Sequence, residues 1–456
     1  MALESRFYRQ KGRVTMDENE LMGSMKVSKA VAKMAIPSVI SSLVTVVYNM
    51  ADTFFVGQTG DPLQVAAVSQ TNPIFILFMA FANMFGMGGS AAASMALGEK
   101  KEKRVKQVSS FITYASLIVG IVFAVILLVG MQPVLQLFGA DADTYELAKG
   151  YTTYISYGAP FIIWSAAASF VVRSDGASRE AMTGSMIGTV ANIILDPIFI
   201  YIMGVQGAAL ATVLSQLAAS VWTFKFLTGK NTIIKIKLSA MRCQAKRVKK
   251  ILVLGLSGFT MSVTNSAVQI ACNVSLQNYG SDVYVGVMTI INSIREVLQM
   301  PVTGLGNGAQ PIIGFNYGAG ENGRVKEAIR YLAAMLIIYS TVAWFIILLI
   351  PKFLIGIFTA DAALITAGVP SLHIYFFGFF LMAFMFTGQT VFVGIGKAKF
   401  AIFFSILRKG IVVIPLILLL PIWFGVNGVF LAEPISNLIG GLACFTTMYF
   451  AVYRKL

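Results

Sequence analysis

The sequence predicts an all-α integral membrane protein whose twelve transmembrane helices form two six-helix lobes. Three observations predict this: a hydrophobic composition, an internal repeat with an offset of 220 residues, and basic residues concentrated in alternate loops. Because six spans is an even number, both copies of the repeat enter the membrane from the same side. The lobes should therefore be related by a pseudo-twofold axis along the membrane normal.

The composition is that of a membrane protein. The 456 residues are 57% hydrophobic and 12% charged, whereas soluble chains carry roughly 25% charged residues. Apolar stretches reach the roughly 20 residues that a helix needs to cross a bilayer, and alternating barrel-type strands are not seen. The polar residues 1–29 lack the apolar core of a signal peptide, so residues 31–56 are interpreted as the first span. Twelve spans are predicted, with centres near 45, 77, 118, 162, 192, 216, 265, 294, 339, 380, 411 and 439.

The second half of the sequence repeats the first. Matches recur at one constant offset at several separated places, and a one-residue slip enters only near the end. Many transporters use such duplication to build two halves that move about one central site. The aligned pairs include Gly86 with Gly306, Gly88 with Gly308, Gly98 with Gly318 and, after the slip, Val205 with Val426.

Basic residues alternate between the two sides of the predicted membrane. Thirty of the 35 Lys and Arg residues lie in the amino-terminal tail, alternate loops and the carboxy-terminal tail. This pattern is typical of cytoplasmic loops, so both termini are expected in the cytoplasm and the protein in the cell membrane. The linker between Lys225 and Lys250 has nine basic residues and no acidic one. It is interpreted as an orientation signal that attracts anionic lipid rather than as a nucleic-acid or ligand site.

The expected organisation follows from these spans and loops. It comprises a cytoplasmic tail (1–33), a first lobe (34–228), a basic cytoplasmic linker (229–250), a second lobe (251–453) and a short tail (454–456). The cysteines Cys243, Cys272 and Cys444 have no metal-ligand spacing and are interpreted as apolar fillers. With one histidine, no nucleophile elbow and no phosphate loop, the sequence does not indicate an enzyme.

Acidic residues inside a membrane are costly, so each is a functional candidate. Asp52 lies roughly 28 Å up span one, and Asp196 about 26 Å up span five. Asn192 is four residues before Asp196 and shares its helix face. Thr212 lies at a similar depth in span six. Four oxygen-bearing groups at one level predict a site for a proton or a hard cation such as sodium. A structural alternative is that they satisfy backbone groups near Pro197.

The second repeat does not preserve these residues. Asp52, Asn192 and Asp196 align with Cys272, Val412 and Leu416 (or Ile417 after the slip), and Glu433 replaces Thr212. The coupling site is therefore expected in the first half. The second half instead places charged residues within spans: Arg295, Glu296, Arg408, Lys409 and Glu433. They are interpreted as a buried ion-pair network, such as Arg408 with Glu296 or Glu433, as a gating pair, or as part of a substrate cavity.

The sequence resembles the multidrug and toxic compound extrusion (MATE) family, and within it the MepA-like branch of bacterial members. The resemblance covers essentially the whole chain and depends on four segments: residues 48–53 (Tyr-Asn-Met-Ala-Asp-Thr), 191–197 (Ala-Asn-Ile-Ile-Leu-Asp-Pro), 207–212 (Gly-Ala-Ala-Leu-Ala-Thr) and the glycine-rich 304–320.

The resemblance implies the MATE/MOP fold, with two lobes forming a V. It also implies an inner-membrane antiporter that exports cationic amphipathic drugs in exchange for protons or sodium, works as a monomer and needs no cofactor. The family's cation site, which could hold sodium, would be Asp52, Asn192, Asp196 and Thr212, and span one would bend at Pro37. Some members carry a second acidic site in spans seven and ten, where this chain has no acid.

Two other functions remain as alternatives. A lipid-linked oligosaccharide flippase of the same superfamily handles anionic pyrophosphate, and Arg295, Arg408 and Lys409 are compatible with it. The aspartates of the first half argue against it. A passive channel is disfavoured because the repeat is chemically asymmetric and prolines such as Pro37 and Pro197 interrupt the spans.

Overall fold

The computed structural model describes residues 21–58, 60–229, 232, 234–236 and 244–456. Within these ranges the chain is almost wholly helical and contains no strand, which confirms the predicted all-α class. The expected cytoplasmic tail (1–33) and basic linker (229–250) lie partly outside the described residues, and so does Cys243.

Among the described residues from Val27 onward, the first half contains six long helices and one short one. They begin and end as follows: α1 (Val27–Gly57), α2 (Pro62–Gly98), α3 (Glu102–Val129), the short α4 (Met131–Leu137), α5 (Tyr145–Ser174), α6 (Ser178–Met203) and α7 (Val205–Thr228).

The second half repeats this series. It consists of α8 (Ala245–Tyr279), α9 (Asp282–Gly318), α10 (Asn322–Leu349), the short α11 (Pro351–Gly356), α12 (Ala362–Tyr375), α13 (Met382–Gly394), α14 (Ala398–Ile406), a π-helical turn (Leu407–Val413), α15 (Ile414–Leu419), α16 (Pro421–Phe424) and α17 (Val426–Ala451). Both ends of α9 lie 220 residues after those of α2, and both ends of α10 lie 220 residues after those of α3. The structure thus reproduces the offset found in the sequence.

Most predicted spans satisfy the requirements for crossing a bilayer. Among the described residues, ten helical segments are long and apolar enough, and the bent pair α12–α13 makes an eleventh. The remaining long helix, α9, has 37 residues but contains Arg295 and Glu296. Its length and its correspondence to α2 in the repeat match those of the eighth predicted span.

The one-residue slip in the repeat has a structural counterpart. The eleventh predicted span, Ala398–Phe424, has 27 residues, whereas its counterpart α6 has 26. The π-helical turn Leu407–Val413 lies within the longer span. A π turn accommodates an extra residue inside a helix, and Pro415, which has no backbone N–H, lies two residues after its end. The inserted residue is therefore absorbed in this turn.

The two halves touch near one end of the bundle, here called the basic end, which carries the loops at residues 99–101, 175–177, 319–321 and 395–397. Gly88 of α2 lies against α8, where an added Cβ would be 2.2 Å from the carbonyl oxygen of Ile251. At the related Gly308 of α9, a Cβ would be 2.5 Å from Ala35 Cα of α1. The sequence repeat of these glycines therefore reflects backbone contact between the lobes.

Toward the other end the lobes diverge. The side chains of Val47, Met50 and Phe54 on α1 are exposed, and so are those of Ile270 and Val274 on α8. By contrast, the closest backbone contacts between the two lobes lie in the basic-end halves of α1, α2, α8 and α9. The lobes enclose a V-shaped cleft that is closed at the basic end and open at the opposite end.

Candidate functional site

Three helices of the first half bring together the residues of the predicted acidic site. Asp52 is on α1, Asn192 and Asp196 are one turn apart on α6, and Thr212 is on α7. Asn192 Nδ2 donates a hydrogen bond to Asp196 Oδ1 at 2.9 Å. Asn192 and Asp196 are wholly buried, whereas Asp52 is partly exposed. The site thus lies inside the lobe, with one carboxylate toward its surface.

Several oxygen atoms of this site have no hydrogen-bond partner. Among the described residues, Asp52 Oδ1, Asn192 Oδ1 and Asp196 Oδ2 are buried and unpaired. Buried polar atoms in proteins are nearly always hydrogen-bonded, because an unpaired one loses its hydration without compensation. Three unpaired oxygens in one site are therefore ready to accept a proton or to contact a small cation.

Two tyrosines extend the site beyond the sequence prediction. Tyr48, one turn before Asp52 on α1, donates a hydrogen bond to Thr212 Oγ1 at 3.1 Å. Tyr151 of α5 lies close enough to Asp52 and Asp196 for their charges to act on it. Tyr48 could have been found from the sequence, because it precedes Asp52 by four residues and therefore shares its helix face. Nothing in the sequence around Tyr151 singles it out.

An arginine lies between this site and the basic end. Arg173, near the end of α5, is 6% exposed and donates a hydrogen bond to Ser41 Oγ of α1 at 3.2 Å. Ser41 in turn bonds Ser185 of α6 at 2.9 Å. The guanidinium also lies over the Phe170 ring, 5.6 Å from its centre. Arg173 is one of the thirty basic residues that the charge pattern assigns to tails and loops, but the structure places its side chain inside the lobe.

The proline of the first span is held against the second lobe. Pro37 lies within α1, which continues through it as one helix. A Cβ at Gly304 of α9 would be 2.5 Å from Val39 Cα, two residues beyond Pro37. Ser38 Oγ donates to the Met34 carbonyl oxygen at 2.9 Å. Any bend of α1 at Pro37 would therefore change the contact between the lobes.

The charges of the second half form a compact cluster. Glu433 of α17 accepts hydrogen bonds from Arg408 at 3.0 Å and from Lys409 at 3.0 Å. Arg408 also donates to Asn437 Oδ1 at 2.9 Å. All three charged side chains are less than 9% exposed. Arg408 and Lys409, which are adjacent in the π turn, therefore both bond the Glu433 carboxylate. Glu296 is exposed on α9 and is not part of this cluster.

Replacing Glu433 by Gln is expected to destabilise the protein strongly. The change leaves two buried cations without their carboxylate, and breaking a buried ion pair on one side costs about 3–5 kcal/mol. The thermal unfolding temperature of the purified protein in detergent should fall well below that of the wild type. The exposed Glu146, replaced by Gln, is the matched control and should leave it unchanged. Equal unfolding temperatures for wild type and Glu433→Gln would show that the cluster does not stabilise the fold.

Comparison with known proteins identifies the family. The MatE family pattern matches residues 37–198 and again residues 258–419, once in each half. The chain belongs to the MatE family. Its members are transporters rather than enzymes, as the sequence analysis expected.

Two MatE relatives are multidrug export proteins. The protein described as multidrug export protein MepA of Staphylococcus saprophyticus is 30% identical to this chain, over 93% of this chain and 94% of the relative. The MepA of Staphylococcus aureus strain MRSA252 is 27% identical over the same shares. A solved structure, described as the outward-facing conformation of a multidrug resistance MATE family transporter, has a TM-score of 0.90 at 25% identity. It covers 96% of this chain and 98% of that one.

These matches confirm the two-lobed MATE fold and the multidrug efflux class of this membrane protein. Within the MatE fold, Asp52, Asn192, Asp196 and Thr212 lie on the three neighbouring helices α1, α6 and α7. Arg408 and Glu433 form an ion pair, which was one of two pairings that the sequence left open. Arg295 lines the same cavity as Glu433 but forms no hydrogen bond or ion pair among the described residues.

Proposed function

We propose that this MatE protein is a secondary active antiporter that exports cationic amphipathic compounds across the cell membrane in exchange for protons or sodium. The observation that carries the proposal is the pair Asp52 and Asp196 of the first lobe, each of which has one buried carboxylate oxygen without a hydrogen-bond partner. Relatives named as multidrug export proteins support the direction and the class of cargo.

The orientation follows from the placement of the basic loops. Cytoplasmic loops carry an excess of Lys and Arg, so the basic end and both termini face the cytoplasm. The cleft then opens to the outside, and the aspartates lie in the outer half of the first lobe. A cation can reach Asp52 from outside the cell because that side chain is partly exposed.

Coupling follows from the cost of burying charge. A cation entering from outside neutralises Asp52 and Asp196, with Asn192 and Thr212 as further oxygen ligands. Neutralisation removes the penalty for dehydrating the carboxylates, so the first lobe can repack and α1 can bend at Pro37. Substrate then leaves outward, and loss of the cation to the cytoplasm resets the protein. Exchange requires that substrate and cation bind the two orientations with different affinity.

Proteoliposomes test this proposal directly. Purified protein is reconstituted, ethidium is enclosed, and a sodium gradient or a pH gradient is imposed separately. We expect ethidium to leave faster than in protein-free vesicles when one gradient is present, and the effective gradient identifies the coupling ion. Ethidium efflux that responds to neither gradient would contradict antiport.

A flippase for lipid-linked oligosaccharides is the second candidate. It is favoured by the excess of cations in the second lobe, where Arg295 has no ion-pair partner among the described residues and Arg408 and Lys409 share the one carboxylate of Glu433. The carboxylates of the first lobe argue against it. A lipid-export defect in a deletion strain, together with no ethidium efflux, would favour the flippase.

A further inference from the structure

We propose that the second lobe contains an anion-binding site that takes the carboxylate of zwitterionic amphipathic substrates. The inference rests on the proposed export function and extends its substrate class. The site is a small, partly open cavity between α8, α9, α12, the π turn with α15, and α17.

The cavity occupies the position related by the repeat to the acidic site of the first lobe. Cys272, Ile417 and Glu433 line it, and they correspond to Asp52, Asp196 and Thr212 after the one-residue slip. Val413, the counterpart of Asn192 after the slip, also lines it. The duplication therefore placed the residues of the two sites at related positions in the two lobes while changing their chemistry.

The charge of this cavity is opposite to that of the acidic site in the first lobe. Two aspartates mark the first-lobe site, whereas the second-lobe cluster has three cations, Arg295, Arg408 and Lys409, for the single carboxylate of Glu433. Arg408 and Lys409 are already bonded to Glu433. The surplus positive charge is thus concentrated on Arg295.

Arg295 forms no hydrogen bond or ion pair with any described residue. Its guanidinium lines the cavity, and its Nε is buried and has no hydrogen-bond partner among the described residues. The neighbouring Glu296 is exposed and forms no ion pair with it in the described chain. An arginine within the membrane is costly unless something anionic meets it. Because its donors form a planar fork, a carboxylate fits it with two parallel hydrogen bonds.

Polar side chains connect the cavity with the open cleft. Gln269 of α8 is exposed, and Asn265 and Asn292 are partly exposed. Amide side chains are unfavourable against lipid, which indicates that this rim faces water in the cleft. An anionic group can therefore enter past the rim and reach Arg295. Tyr375, buried beside Arg295, closes the other side.

The two sites together suit a molecule that carries both charges. A cationic group can approach the aspartates of the first lobe while a carboxylate approaches Arg295 across the cleft. Purely cationic substrates lack the second contact. Removing Arg295 should therefore affect only substrates that carry a carboxylate.

A matched pair of dyes tests this inference. Rhodamine 110 has a free carboxylate, and rhodamine 123 is its methyl ester. Binding of each to the purified protein is followed by fluorescence polarisation in chloride-free methanesulfonate buffer. For Arg295→Gln we expect rhodamine 110 to bind at least about tenfold more weakly, as expected for loss of a charge-assisted hydrogen bond. Rhodamine 123 should change by less than about twofold.

The controls separate this inference from folding and from the export proposal. Lys352→Gln removes an exposed cation at the same end of the molecule and should change neither affinity. Arg295 bonds no other described residue, so Arg295→Gln should unfold at the wild-type temperature. Equal weakening of both dyes, or of neither, would overturn the inference. Gradient-driven efflux of rhodamine 123 by the wild type tests antiport separately, because the ester does not use Arg295.

Discussion

Vesicles containing Asp196→Asn are expected to export dye no faster under an imposed proton or sodium gradient than without one. Asparagine keeps the shape of the side chain and can still accept the hydrogen bond from Asn192, but it cannot be neutralised by a cation. The free-energy coupling between cation and substrate, typically about 1–3 kcal/mol in such systems, is then lost. Efflux of ethidium from proteoliposomes measures this, and Asp52→Asn should have the same effect.

Stability distinguishes loss of coupling from loss of folding. Asp196→Asn removes a buried charge, so its unfolding temperature should equal or exceed that of the wild type. Asp143→Asn, an exposed change in the loop before α5, is the matched control and should transport normally. If vesicles with either aspartate variant still exported ethidium in response to a gradient, with the same ion dependence as the wild type, the first-lobe site would not be the coupling site.

Gly98→Ala is expected to reduce export by at least about tenfold by preventing closure at the basic end. The added Cβ would lie 1.9 Å from the Phe315 carbonyl oxygen, and that backbone atom cannot move aside as a flexible side chain could. Overpacking typically costs about 1–3 kcal/mol. Since only the state closed at this end contains the contact, the cost shifts the population toward the opposite state.

Thiol labelling reports this shift in population. Ser94, wholly buried in α2, is replaced by Cys in a background without the native cysteines. A membrane-impermeant maleimide applied from the basic side should label it faster when Gly98→Ala is present. Gly323→Ala, where a Cβ meets nothing within 4 Å, is the control. Unchanged labelling and export would show that this contact does not set the conformation.

The repeat and the charge pattern predicted the two related halves and the position of the acidic residues in the spans, and each pattern has a physical cause. The glycines recur because backbones meet at related helix crossings, so Gly88 and Gly308 are constrained alike. Asp52 and Asp196 could be found because a carboxylate in a membrane span is rare and costly. Helix rise alone then placed them at one depth.

Other features depended on information that a linear pattern does not contain. Arg173 follows an apolar span near a loop, and only the packing of α5 against α1 shows that its side chain is buried. The partner of Arg408 could not be chosen between Glu296 and Glu433, because that choice depends on helix rotation around the π turn. Tyr151 reaches the aspartates only through the folded arrangement of the lobe.

The π turn has an evolutionary consequence. A single inserted codon after the gene duplication would suffice to add the extra residue of the eleventh span, and the widened turn directs two consecutive basic side chains toward one acid. The two copies could then come to differ in the charge of their related sites without any change in how their helices are connected. One lobe could keep the ancestral binding chemistry while the other acquired a new one.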